Sequence, residues 1–216
     1  MHQKRTEMPR TWPIPRKGTK YLALASHAKK EGISLLFVLR DILKLANTRK
    51  EVKYFMFNGD IKVNNIVRKD ENFPLQVFDV ISLDKLKKKY RLNILNKKFS
   101  LEEVSGDAAD KKIVKILGKT ILPKGLVQMN LQDGQNFTSK ETFALGDSVL
   151  VNTKANKIEK ILPLKEGANV EVISGKHAGE KGKLKQIISF EKRKDYHIKL
   201  EDKEVQLPLR TLLVIE

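Results

Sequence analysis

Residues 168–187 read ANVEVISGKHAGEKGKLKQI, and the choice between an enzyme's phosphate cradle and a loop between strands turns on them. Val170 and Val172 alternate before the glycine-rich segment and Leu184 and Ile187 follow it, so strands flank the loop on both sides. A phosphate-binding P-loop needs Gly, then four residues, then Gly-Lys-Ser/Thr opening a helix. Here six residues separate Gly175 from Gly182, and Leu184 stands where the metal-binding hydroxyl would be. GEKG at 179–182 fits the four-residue loop of KH domains by letters, but that loop joins two helices. What remains is strand, glycine loop, strand. A tight loop between curled strands needs positive φ or close chain approach, and Gly175, Gly179 and Gly182 are the structural positions for it. Lys176, His177, Lys181 and Lys183 then stand on the loop rim as candidate RNA ligands.

The rest of the chain supports a polyanionic partner. Among 216 residues, 43 Lys and Arg stand against 26 Asp and Glu, a formal net charge of +17. Such a self-repelling balance points to nucleic acid before a membrane surface, since no basic amphipathic helix or lipidation motif is evident. The absence of cysteine excludes disulfides and thiolate metal sites and fits a reducing compartment, hence the cytoplasm. Apolar stretches fall short of a membrane span, and no apolar signal core follows the N-terminal charges.

Residues 1–33 carry prolines at 9, 13 and 15 and many positive charges, without helical or strand periodicity. They read as a basic extended arm in which Lys4, Arg5, Arg10, Arg16, Lys17 and Lys20 repel one another in free solution and meet RNA. Trp12 is either packed on the nearest domain or a stacking side chain for a base.

From Ser34, a candidate N-cap, apolar residues recur at helical spacing through Ala46. TRKE at 48–51 has the capping-box form and starts a second helix bearing Val52, Phe55 and Met56, which Gly59 terminates. Arg40 and Lys44 are four apart, as are Arg49 and Lys53. With Lys50 they predict a basic RNA-binding surface across two adjacent helices. NGDIKVNN at 58–65 and FDVISL at 78–83 read as strands. Farther on, DKLKKKYRL at 84–92 reads as a hairpin edge or an RNA contact, SLEE at 100–103 as the cap of a short helix, and Asp133-Gly134 as a type I′ turn.

Asn58 to Asn64, followed by Asp79 to Ile81, resembles the pattern of the small RNA-binding module named after bacterial ribosomal protein S4. In that module the first helix pair presents its basic face to RNA. Residues 168–187 resemble the KOW motif, whose defining glycine precedes the second strand, the position of Gly182. The order of these parts, with PIPRK at 13–17, VRKDENFP at 67–74, NLQDGQNF at 130–137 and GDSVLV at 146–151, resembles the ribosomal S4e family of archaea and eukaryotes. Ending at Glu216, the chain is similar to the shorter archaeal form. Val63-Asn64-Asn65 departs from the family's usual Asp-Gly turn.

The resemblance implies an α+β, mostly β protein: arm 1–33, S4-type module 34–86, central β domain 87–163, and a KOW domain 164–216 shaped as an SH3-like barrel. It implies a monomeric structural constituent of the small ribosomal subunit, bound to small-subunit rRNA mainly through phosphates and to neighbouring ribosomal proteins. No catalytic residue, cofactor, metal or small-molecule substrate is expected, because the histidines at 2, 27, 177 and 197 form no ligand spacing and no nucleophile or paired-carboxylate arrangement is present. The alternatives are a KOW-containing transcription factor, which needs a polymerase-gripping domain, and an RNA-modifying enzyme, which needs a catalytic domain.

Overall fold

The computed structural model describes residues 3–29, 31–139, 141–189, 194–200 and 203–216. The chain forms two compact units, Met1–Asp110 and Lys111–Glu216. Both are mostly β, and the described residues contain two α-helices.

In the first unit, α1 (Leu35–Phe37) continues into a π-helical turn (Val38–Ile42). Its first N–H groups are satisfied by backbone, with Leu35 donating to the Phe73 carbonyl and Leu36 to that of Glu71, so Ser34 caps without a side-chain bond. Regular helix ends four residues short of the periodic pattern, at Ile42 rather than Ala46, because Lys44 turns to φ 53. The second helix, α2 (Arg49–Phe57), starts as the TRKE motif predicts. Thr48 accepts from the Glu51 N–H, and the Glu51 carboxylate accepts from the Thr48 hydroxyl and the Asn47 N–H. Val52 and Met56, both fully buried, face the core.

A five-stranded antiparallel sheet follows, in the order Ile66–Val67, Ile61–Val63, Val80–Leu83, Lys88–Leu95, Lys98–Glu103. It crosses residues 86–87, where the sequence suggested a boundary: Val80 pairs with Arg91 and Leu83 with Lys88. SLEE is therefore strand, not helix. Asn96 and Lys97, both at positive φ, form a two-residue turn that folds Lys98–Glu103 back onto Lys88–Leu95.

The second unit holds two antiparallel sheets. One runs Asn136–Ser139, Val127–Leu131, Lys111–Ile121, Ser148–Asn152, Lys157–Leu162 around Val114, Ile116, Met129, Val149 and Val151. The other runs Glu204–Pro208, Lys194–Leu200, Lys181–Ser189, Asn169–Val172, Leu212–Val214 around Val170, Val172, Leu184, Ile198 and Leu212. Polar bonds join them: the buried Lys115 ammonium donates to the carbonyls of Leu209 and Leu212, and the Val214 N–H donates to Ser148 Oγ at 3.0 Å. The Asp133-Gly134 turn is a three-residue loop, not type I′. Leu131 N–H donates to the Gln135 carbonyl and only Gly134 takes positive φ, while the Asp133 carboxylate pairs with buried Lys112 at 2.9 Å.

Candidate nucleic-acid interface

The N-terminal segment is a closed hairpin rather than an extended arm. Gln3–Lys4 pairs with Tyr21–Leu22, and Arg5 clasps the intervening loop from inside. Its guanidinium donates to the carbonyls of Thr19 (2.7 Å) and Pro15 (2.6 Å) and to the Thr19 hydroxyl (2.8 Å). Those bonds explain why mutual repulsion does not hold this segment open: one cation is spent on its own backbone. Trp12 is 2 % exposed and packs on Phe37 with ring centroids 5.7 Å apart, so its ring belongs to the core and offers no face to a base. Lys4, Arg10, Arg16, Lys17 and Lys20 remain exposed.

On the helix pair, the expected Arg40–Lys44 face does not form. Lys44 leaves the helix at φ 53, and Arg40 lies over the Phe37 ring and binds Asp41 at 2.8 Å. Arg49 and Lys53 do share a face, and both converge on Glu71, a buried carboxylate from the segment after the Ile66–Val67 strand. Arg49 Nε donates to both carboxylate oxygens at 2.8 and 2.9 Å, its Nη2 also donates to Oε1, and Lys53 stands 3.5 Å away. Glu71 was not singled out in the sequence, since nothing local links it to Arg49, 22 residues upstream. The Arg49 hydrogen bond is the main influence holding the Glu71 carboxyl below its ordinary range, outweighing burial, with Lys53 assisting. The stability it contributes is therefore present above the ordinary carboxylate pKa of about 4.3 and is lost as pH falls through the lower folded value. Glu71→Gln should destabilise the folded protein by about 1 to 2 kcal/mol at neutral pH. It should also remove that part of the acid dependence, read by thermal melts between neutral and acidic pH; an unchanged melt at pH 7 would contradict the arrangement.

In the glycine hairpin, Gly179 N–H donates to the Val172 carbonyl at 2.7 Å and Val172 N–H to the Glu180 carbonyl at 3.0 Å, closing the loop. Gly175 (φ 97) and Gly179 (φ 88) supply the positive φ. Gly182 does not: it lies within the strand Lys181–Ser189, between Val170 and Leu200, and its role is close approach. A Cβ there would stand 2.5 Å from the Lys199 carbonyl oxygen and 3.0 Å from Ile198 Cγ2. Ala178 is buried and anchors the loop, while His177 Nδ1 meets Glu180 at 3.0 Å and is held by its own loop. Lys176, Lys181 and Lys183 are exposed. Strand alternation puts Lys181 and Lys183 on the outer face, Lys185 is exposed at a bulge in the strand, and Lys183 pairs across the sheet with exposed Lys199. On its other side Lys199 pairs with Glu204, whose carboxylate offsets part of the repulsion between the two lysines. Lys185 is engaged by Glu204. The K-x-K-x-K alternation at 181–185 was legible in the sequence; Lys199 was not, because only strand pairing brings it alongside.

Two sequence families match the chain: ribosomal family S4e over residues 78–158 and the KOW motif over residues 166–191. Small ribosomal subunit protein eS4 of Archaeoglobus fulgidus is 39% identical over 86% of this chain and 79% of its own length. The Methanosphaera stadtmanae protein of the same name is 36% identical over 94% of this chain and 86% of its own. The chain belongs to the ribosomal S4e family. A crystal structure of the 30S ribosomal protein S4e from Thermoplasma acidophilum has the same fold, with a TM-score of 0.75 at 23% identity over 87% of this chain and 96% of that one.

Seen as an S4e chain, the departure at Asn64-Asn65 has a structural answer. Both residues take positive φ (51 and 64), forming the two-residue turn that Asp-Gly would otherwise make. Asn64, in the Asp position of that turn, makes a bond that an aspartate could not: its Nδ2 donates to Asp79 at 2.7 Å, while its Oδ1 accepts from the Val80 N–H at 3.0 Å. Buried Asp79 also accepts from the Gln76 N–H at 2.6 Å, tying the turn to the FDVISL strand. Gly59 sits at φ 78 just past α2, the expected stop. Among the described residues no group of three or more His, Asp or Glu side chains could hold a metal ion, and no helix is long and apolar enough to cross a membrane.

Proposed function

We propose that this chain is a structural constituent of the small ribosomal subunit, not an enzyme. It binds small-subunit rRNA mainly through phosphates and supports subunit assembly and translation in the cytoplasm. Kinship along most of the chain with proteins named small ribosomal subunit protein eS4 carries this reading. The charge balance of +17 gives it a physical basis, because each phosphate neutralised releases condensed counterions.

Within that role, the contacts are the exposed cations of the N-terminal hairpin, Arg49, Lys50 and Lys53 of α2, and the outer row Lys176, Lys181 and Lys183 with Lys199. Arg5, Trp12 and Glu71 serve as scaffold for these contacts. The 164–216 segment acts as a KOW domain with an SH3-like curl. Support for the curl comes from the 3-10 turn Leu209–Thr211, after which Leu212–Val214 returns to pair with Asn169–Val172 on the far side of the sheet. Neighbouring small-subunit proteins are the other partners.

Replacing Lys176, Lys181 and Lys183 together by Gln tests the outer row. Affinity for transcribed small-subunit rRNA should fall, and the slope of log K against log salt should flatten by about 2 to 3 units for three lost phosphate contacts. Thermal stability should change little through Lys176 and Lys183, which are exposed, and fall modestly through Lys181, whose charge lies opposite buried Glu171. An unchanged salt slope would remove this hairpin from the interface.

A further inference from the structure

We propose that the outward face of α2 is a stacking site for unpaired nucleotides of the bound RNA, with Tyr54 and Phe57 as the platform. The proposal rests on the rRNA-binding reading above and specifies what this helix recognises. Tyr54 is 64 % exposed and Phe57 66 % exposed, whereas Val52 and Met56 on the opposite face are fully buried. The helix has thus filled its core-facing stripe and still carries two aromatic rings in water, where an amphipathic surface helix normally carries polar residues.

Their surroundings indicate the occupant. Lys50 precedes Tyr54 by one turn and lies on the same face as Phe57, and Lys53 precedes Phe57 by one turn. The nearby carboxylates are committed: Glu51 to the Asn47 N–H and Thr48 hydroxyl, and Glu71 to Arg49 and Lys53. On this helix, an anionic backbone arriving at the rings would therefore meet Lys50 and Lys53, while the helix's own carboxylate, Glu51, is already engaged. Protein interface cores deplete lysine, so rings set among lysines fit RNA better than a protein neighbour. Aromatic side chains next to cations bind unstacked bases by the π-face while the cations hold the flanking phosphates. The Phe55 ring lies edge-on to Tyr54, 6.1 Å between centroids at 63°, which braces Tyr54 while its outer face stays open.

Filter binding to transcribed small-subunit rRNA across a salt series tests this in the full-length protein. The double variant Tyr54→Ala, Phe57→Ala should bind more weakly by about 5- to 150-fold per stacked ring, with the salt slope unchanged, because stacking releases no counterions. Exchanging the rings (Tyr54→Phe, Phe57→Tyr) should restore affinity. Lys50→Gln should also weaken binding but, unlike the alanine pair, should flatten the slope. A Tyr54→Trp reporter should be quenched by single-stranded oligo(A) but not by a blunt-ended RNA duplex. Wild-type affinity in the alanine pair would overturn the proposal, and wild-type affinity with poor incorporation into subunits would assign the rings to a protein neighbour instead. Failure of the wild-type protein to bind rRNA at all would overturn the underlying function, a separate outcome.

Discussion

Trp12→Ala should lower the stability of the free protein by about 3 to 5 kcal/mol, the cost of emptying a large aromatic site in a packed core. The side chain is 2 % exposed against Phe37, and the Thr11 carbonyl beside it accepts from the Phe99 N–H at 2.8 Å, so the N-terminal hairpin is pinned to the first unit at this point. A midpoint drop of roughly 10 °C or more is expected by calorimetry without any RNA present. Trp12→Phe should recover most of it, because the indole Nε1 has no acceptor among the described residues and its loss leaves no partner unpaired. If Trp12→Ala instead left the melt unchanged and weakened only RNA binding, the ring would be a base-stacking group and its packing here incidental.

Gly182→Ala has the second-largest expected effect. The added methyl would meet the Lys199 carbonyl oxygen at 2.5 Å, and backbone in a paired strand cannot swing aside as a side chain can. Relief requires separating Lys181–Ser189 from Lys194–Leu200, so stability should fall by about 1 to 3 kcal/mol, and Gly182→Val should fall further. RNA affinity should drop along with the melt, because the same register aligns Lys183 with Lys199. Gly179→Ala gives the contrast: its φ of 88 strains any side chain by about 1 to 3 kcal/mol through the loop alone, leaving the strand register intact. A Gly182→Ala protein melting like wild type would show that the two strands have slack that this structure does not.

The contrast between these glycines illustrates what the sequence could and could not reveal. Alternating Val170, Val172, Leu184 and Ile187 made the hairpin legible, since a two-residue period is a local property. Whether Gly182 was needed for its dihedral or for clearance depended on Lys199, a residue 17 positions later, and no local pattern carries that. TRKE was readable for the same reason as the strands: a capping box closes within four residues. SLEE was misread because its letters also suit a helix cap, and pairing with Lys88–Leu95 decided otherwise. The helix from Ser34 was overextended because apolar periodicity does not register a backbone turning to positive φ at Lys44. Charge counting made the N-terminal segment look open. It missed that one arginine with three internal acceptors and one buried tryptophan outweigh the repulsion of exposed, solvent-screened lysines. At the candidate interface, the basic residues were legible as types. Their sorting into scaffold, as for Arg5, and outward-facing cations, as for Lys181 and Lys183, came only from tertiary partners.

As an S4e protein, this chain should work as part of the small ribosomal subunit. Sucrose-gradient sedimentation of extract from cells expressing it, with immunodetection of the chain across fractions, tests that directly. The chain should travel with the small-subunit and whole-ribosome peaks at low salt and be released toward the top of the gradient as salt rises, as phosphate-dominated binding requires. Recovery of the chain at the top of the gradient at low salt, or with RNA polymerase rather than ribosomal particles, would contradict it.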